Sequence, residues 1–304
     1  MNFDKDSSLD KILNALFEPY KHSVPEVNKI SDAMIEKGMI AEESDIINDH
    51  IAFRTLGVPN LGIASFEKIF LHYGYKRREP YYFQEKKLNA FWYEPPVETY
   101  PRIFISELRV EDLSPKAQSI INKYVEPITE CPVDGLDLDN PEEVGSFFYK
   151  PLWDLPTLED YKTLLQESEY AAWVIYNRYY LNHYTISIHE LPDGYNTLEQ
   201  FNAFLESIGI VLNSAGGKIK TSEDGLLRQS SSVSKMQPAT FSDGETMRIS
   251  GSYVEFAERS VLPQFKSIPK EQISREHRRD GFESANADKI FESTYLEQTS
   301  MAEV

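Results

Sequence analysis

The feature that most restricts the fold of this chain is a pattern that occurs twice. Residues 50–56 (HIAFRTL) have the β-branched, aromatic and alternating character of a strand, closed by the turn residues GVPN. An amphipathic helical stretch over 65–73 follows and stops at Gly74. Residues 182–191 (NHYTISIHEL) read as a second such strand, closed by PDGYN and followed by a helix over 198–208 that stops at Gly209. Gly74 lies 24 residues beyond His50, and Gly209 lies 26 beyond His183. Extended runs follow the first helix at 75–84, 88–93 and 102–109, and the second at about 210–212, 225–234 and 250–257. Self-similarity at matched spacing points to a repeated supersecondary unit. The chain is therefore expected to be α+β, with duplicated β-α-β-β-β modules.

The flanking segments differ. Residues 9–20 place Leu9, Ile12, Leu13, Leu16 and Phe17 at helical spacing behind Ser7 and Ser8 as caps, and 25–39 read as a second helix. The middle of the chain, 114–170, is acidic, Pro-containing and helical where it is periodic, as an insertion or connecting layer would be. The expected organisation is one catalytic domain over 1–304. It has N-terminal helices at 1–44, a first module at 45–112, a helical insertion at 113–178, and a second module with a C-terminal segment at 179–295. Two such modules with their sheets curled into a shared half-barrel resemble the vicinal-oxygen-chelate architecture. That fold holds a divalent metal between its halves, usually with a ligand on a first strand and a Glu on a late one.

Charge narrows the chemistry. The formal net charge of −18 repels phosphate backbones and anionic lipid, so no nucleic-acid or membrane partner is expected. The short basic runs at 76–78 and at Arg275, His277, Arg278 and Arg279 are flanked by acids and read as solvated faces. Cys131 is the only cysteine, which excludes an intrachain disulfide and a thiolate metal cluster. The N-terminal stretch MNFDKDSSLDKI lacks the apolar core of a signal peptide, and no stretch approaches the ~20 apolar residues of a membrane span. A soluble, cytoplasmic protein is expected.

Any metal ligands must then be oxygen or nitrogen. Strand side chains alternate, so His50, Ala52 and Arg54 share one face, and His183, Thr185, Ser187 and His189 share another. In the late run SGSYVEFAERS, Tyr253, Glu255 and Ala257 share a face. His50, His183 and Glu255 would form a two-His, one-carboxylate set, which suits Fe(II) and less exclusively Mn, Co or Zn. On spacing alone each His also reads as a hydrogen-bonded strand residue, the commoner case, and Glu255 as a solvent-facing one. His189 is a rival ligand, six residues or roughly 20 Å beyond His183 in an extended strand. His22, His72 and His277 read as surface residues.

The runs DHIAFRTLG, NHYTISIHEL, GLLRQSSSVS, GSYVEFAERS and RRDGFESANADKIFEST resemble the 2-oxoadipate dioxygenase/decarboxylase (hydroxyglutarate synthase) family, in order from about residue 45 to 295. The resemblance implies an Fe(II) enzyme of lysine breakdown that converts 2-oxoadipate, or a similar 2-oxo acid, with O2 to 2-hydroxyglutarate and CO2. It implies that His50, His183 and Glu255 bind the metal, that Arg54 holds a substrate carboxylate, and that Gln229 lines the pocket. Spacing agrees for Arg54, which lies roughly 13 Å along the strand from His50 on the same face and offers a planar guanidinium to a carboxylate. A glyoxalase-type isomerase or hydrolase on the same fold, and a non-enzymatic binding protein, remain the alternatives.

Overall fold

The structure, a computed structural model, describes residues 7–300; residues 1–6, half of the N-terminal stretch read for a signal peptide, and 301–304 lie outside it. Two helices, α1 (Ser8–Ser23) and α2 (Pro25–Glu36), come first. Ser7 caps α1: its hydroxyl accepts from the Asp10 N–H at 3.1 Å, and the Asp10 carboxylate accepts from the Ser7 N–H at 3.1 Å. Leu9, Ile12, Leu13, Leu16 and Phe17 form the buried stripe of α1.

The first module is β1 (Asn48–Gly57), α3 (Ile63–His72), β2 (Lys76–Phe83), β3 (Leu88–Glu94) and β4 (Arg102–Arg109). Four helices follow: α4 (Pro115–Val125), α5 (Pro141–Phe147), α6 (Leu158–Glu167) and α7 (Glu169–Asn177). The second module is β5 (His183–Ser187), α8 (Leu198–Ser207), β6 (Lys220–Thr221), β7 (Leu227–Ser231), β8 (Met236–Thr240), β9 (Thr246–Ser250) and β10 (Tyr253–Arg259), after which come α9 (Ser284–Phe291) and α10 (Leu296–Thr299).

Eight strands form one curled sheet in the order β2-β3-β4-β1-β5-β10-β7-β6. The order is symmetric about the β1–β5 seam. β4 lies parallel to β1 as β10 lies parallel to β5, and β1 and β5 meet antiparallel. The duplication expected from spacing is thus visible in topology. The second module departs from the first by an added hairpin, β8–β9, in a sheet of its own.

Two expected strands are shorter than read. Residues 210–212 contribute a single bridge, Leu212 to Ser232. The strand at 182–191 ends at Ser187, and 188–190 turn into a 3-10 helix. There the His189 ring, rather than a strand neighbour's backbone, accepts the Arg259 N–H at 3.2 Å. The β8–β9 hairpin was not expected at all. Pro238 argues against a strand inside a ladder, and it is accommodated because this sheet has only two strands.

Helices cover the convex face. Phe53 of β1 packs against Phe66 and Phe70 of α3 and against Phe148, and Tyr184 of β5 packs against Phe17 and Tyr20 of α1. The concave face is covered too. Its roof comes from α7, through Tyr170 and Trp173, and from the segment after β10, where Phe282 sits 4.8 Å from the His50 ring and 4.9 Å from Phe104. Part of the middle insertion is therefore a wall of the site. No helix among the described residues is long and apolar enough to cross a membrane.

Candidate metal centre

Strand register decides which side chains meet. Across the seam His50 lies opposite Thr185 and Ala52 opposite His183, while on the other side of β5 Glu255 lies opposite Thr185. Residues directly opposite in a ladder point to one face, so β1, β5 and β10 each project one ligand-type side chain into the same concavity. One donor atom from each of His50, His183 and Glu255 lies within 4.8 Å of the other two. Glu255 Oε2 is 3.0 Å from His183 Nε2 and 3.5 Å from His50 Nε2. Glu255 is 1 % exposed, so it does not face solvent.

Each histidine is oriented by the residue before it. His50 Nδ1 donates to Asp49 Oδ1 at 2.8 Å, and His183 Nδ1 donates to Asn182 Oδ1 at 3.0 Å. Asp49 is in turn clamped by Arg259, whose Nε and Nη2 donate to its two carboxylate oxygens at 2.6 and 2.9 Å. Glu255 Oε1 accepts from Gln229 Nε2 at 2.6 Å, and Gln229 Oε1 accepts from Asn286 Nδ2 at 3.0 Å. Gln229 thus reaches the cluster by fixing the carboxylate. Asp49, Asn182, Arg259 and Asn286 were missed in the sequence. The repeated dipeptides Asp49-His50 and Asn182-His183, an acceptor just before each His, were the available signal.

Burial works against charge on all these groups, and specific partners oppose it. The Glu255 carboxyl, despite burial, is pulled down to about 2 by His50 and His183. Burial also lowers the affinity of His50 for a proton, but Glu255 and Asp49 outweigh it and leave its pKa raised. For His183 burial prevails and the pKa falls. Asp49, buried beside Arg259 and Arg102, is held well below the usual carboxylate range.

This donor set fits a divalent cation. With both Nδ1 atoms donating outward, both Nε2 atoms face Glu255 Oε2, and the Thr185 hydroxyl also lies 3.0 Å from His50 Nε2. In the neutral form that metal binding requires, these Nε2 lone pairs and the carboxylate would repel one another unless a cation lay among them. Hydrogen-bonded outer nitrogens and a hydrogen-bonded carboxylate are the usual support of such ligands.

Arg54 lies further along β1 on the same face, 1 % exposed. Its Nη1 donates to Thr294 Oγ1 at 2.9 Å and its Nη2 to the Phe291 carbonyl at 3.0 Å, with Tyr170, Trp173 and Phe291 rings around the guanidinium. No acidic side chain among the described residues lies within 4.0 Å of it. Its Nε, the Tyr253 hydroxyl and Asn182 Nδ2 are buried with no hydrogen-bond partner. Buried unpaired donors mark a place where a polar ligand completes the set.

His189 is not part of this cluster. It sits in the 3-10 turn, its Nδ1 occupied by the Arg259 N–H, with burial and Arg278 holding its pKa down to about 3. His22 and His72 are exposed, as expected, whereas His277 is half-buried against Phe265.

Comparison with known proteins places these features in context. The sequence profile of the 2-oxoadipate dioxygenase/decarboxylase family matches residues 12–270. A 2-oxoadipate dioxygenase/decarboxylase of Oryza sativa, described as chloroplastic/amyloplastic, is 44% identical over 281 residues, spanning 89% of this chain and 75% of that protein. The crystal structure of hydroxyglutarate synthase from Oryza sativa in complex with 2-oxoadipate superposes with a TM-score of 0.88 at 41% identity, covering 98% of this chain and 96% of that one. A glyoxalase-superfamily structure from Ralstonia eutropha shares the fold at TM-score 0.65 and 21% identity, covering 90% of this chain and 85% of that one.

Proposed function

Because the chain belongs to the 2-oxoadipate dioxygenase/decarboxylase family, we propose that it converts 2-oxoadipate and O2 to 2-hydroxyglutarate and CO2, with His50, His183 and Glu255 holding Fe(II). The observation that carries this reading is the buried His50–His183–Glu255 cluster with an acid-free Arg54 guanidinium on the same face. The 2-oxoadipate in the rice homologue's complex points to the substrate.

Bound Fe(II) supplies open coordination positions for a 2-oxo acid and reactivity toward O2. The chain's own residues supply orientation and a dry setting. Asp49 and Asn182 hold the two imidazoles with Nε2 inward. Gln229 occupies Glu255 Oε1 and leaves Oε2 for the metal. Arg54 receives the substrate carboxylate distant from the keto group, and its unpaired Nε together with the Tyr253 hydroxyl are donors for it. Tyr170, Trp173 and Phe291 exclude water around that contact, which strengthens it. In a molecule of net charge −18, this local positive charge is what admits a dianion.

The ligands come from both modules, and the insertion and C-terminal segments wall the site, so we take the whole chain as one catalytic domain. We assign the reaction to lysine breakdown and the protein to the cytoplasm, a placement that fractionation of the native host tests. The reaction itself is tested by loading anaerobic Fe(II) protein with 2-oxoadipate and then admitting air. We expect no turnover before air and one CO2 released per O2 consumed after it. Turnover in strict anaerobiosis would overturn the reading in favour of an isomerase or hydrolase.

A further inference from the structure

At the end of the concave face away from Arg54, the start of β1, the end of β10 and the loop 273–279 enclose a cavity of about 790 Å³. Four arginines line it: Arg102, Arg259, Arg275 and Arg278. Two of these belong to the run read from sequence as a solvated face, and neither is fully exposed. Arg259 is matched by Asp49, and Arg102 donates from Nε to Asp280 at 2.5 Å. The other two are less well matched. Arg275 donates only to the carbonyls of Glu98 and Tyr100, at 3.1 and 2.9 Å, and has no carboxylate within 4.0 Å among the described residues. Arg278 donates from Nη1 to the Arg259 carbonyl at 2.9 Å, and its Nε lies 3.5 Å from Glu190 without a hydrogen bond.

Three guanidinium nitrogens of this group, Arg102 Nη2, Arg275 Nη2 and Arg278 Nε, are buried with no hydrogen-bond partner. Leaving charged donors unpaired in a protein interior is costly, and none of the carboxylates that line the cavity, those of Asp10, Asp49, Glu98 and Glu190, accepts from any of these three nitrogens. The electrostatics agree: burial and neighbouring guanidinium groups lower the pKa of Arg102 to about 9 and lower that of Arg275 as well. Three unpaired guanidinium donors around one cavity favour an anion there.

We propose that this arginine-lined pocket is a binding site for a small dianion, a short dicarboxylate or phosphate, separate from the metal centre. Asp49 is the wall between the two: its carboxylate meets His50 on one side and Arg259 on the other. Guanidinium forks suit both carboxylate and phosphate through paired hydrogen bonds, and the cavity has ample volume for either.

The test is calorimetric titration of the full-length Fe(II) protein, in a buffer free of both anions, with glutarate in one arm and inorganic phosphate in the other. We expect saturable one-to-one binding in at least one arm; which arm responds identifies the anion. Binding should weaken at least ~10-fold in Arg278→Gln and in Arg275→Lys, as expected for loss of a charge-assisted contact, and should persist in Arg54→Lys. Iron content and thermal melts accompany each variant, and the anion should raise the melting temperature of the wild type more than that of either pocket variant. Binding lost in Arg54→Lys but unaltered in both pocket variants would assign the anion to the metal centre and overturn the proposal. So would the absence of saturable binding in both arms.

Discussion

Arg54 and Lys220 are both buried cations on strands of the main sheet, and the difference in their surroundings separates substrate contact from structural burden. Arg54 has aromatic walls and an unpaired Nε. If it clamps a carboxylate, Arg54→Lys loses the planar two-point contact, and kcat/KM should fall by ~10- to 100-fold, the size of one hydrogen bond to a charged group. Iron stoichiometry, measured in parallel, should not change. Asp49 acts one step further out. Asp49→Asn should weaken Fe(II) binding by ~10- to 100-fold in a competition titration. It should also lower stability by ~3–5 kcal/mol, because Arg259 is left buried without its counter-charge. Lys220 faces Gln229 across β6–β7, donates to the Asn213 carbonyl at 2.7 Å, and is pushed down to about 8 by burial. Its folded pKa is below that of the unfolded chain, so the unfolded state binds more protons between about pH 8 and 10.5. Its unfavourable contribution is full below pH 8 and is relieved as pH rises through that window. Stability curves for wild type and Lys220→Met should therefore diverge below pH 8 and converge by ~1–3 kcal/mol toward pH 10.5.

At the scale of elements, the turn from β1 into α3 shows how local chemistry and tertiary contact combine. Gly62 has φ +77, and a Cβ there would meet Glu107 Oε2 at 2.7 Å and the Leu56 carbonyl at 3.0 Å. Gly244, in the β8–β9 turn, has φ +82 and open space around it. Both substitutions to Ala carry the left-handed backbone penalty of ~1–2 kcal/mol. Gly62→Ala should add a collision and reach ~3 kcal/mol or more, so its melting temperature should fall well below that of Gly244→Ala in thermal denaturation of the iron-loaded protein. The helical insertion belongs to this scale too. Its acidic, Pro-containing composition marked it as separate from the modules, yet nothing in its periodicity indicated that Tyr170 and Trp173 would stand over Arg54. Their partners, Ser106, Thr55 and Gly251, are 64 to 115 residues away in sequence.

Across the whole molecule, the candidate metal ligands straddle the seam between the two modules, His50 on one side and His183 and Glu255 on the other. A cation bound there holds only in the folded state and stabilises it by mass action, by about 2.7 kcal/mol at a free metal concentration one hundred times Kd. Chelation should lower the melting temperature of the entire chain in one cooperative transition, and Fe(II) should restore it. His183→Ala, unable to close the set, should melt at the same temperature with and without metal. Two separate transitions in calorimetry, with only one sensitive to metal, would contradict a centre shared by both modules.

The sequence by itself determined the repeated module, the strand faces, and hence that His50, His183 and Glu255 could point one way, because alternation along a strand is a local property with a period of two. It marked the cap at Ser7 and the helix stops at Gly74 and Gly209, because a side-chain acceptor and a left-handed glycine act within one turn of the chain. Only the tertiary structure decided register across the seam, which sets a 4.8 Å cluster rather than three scattered polar residues. It also removed His189 from contention, since the end of β5 depends on what the Arg259 N–H finds to bond. The basic run at 275–279 changed meaning in the same way. Flanking acids in sequence suggested solvated charges, but loop packing against β1 and β10 left two of those arginines half-buried beside two others from distant strands. Such pairings depend on contacts between residues far apart in the chain, and no local pattern encodes them.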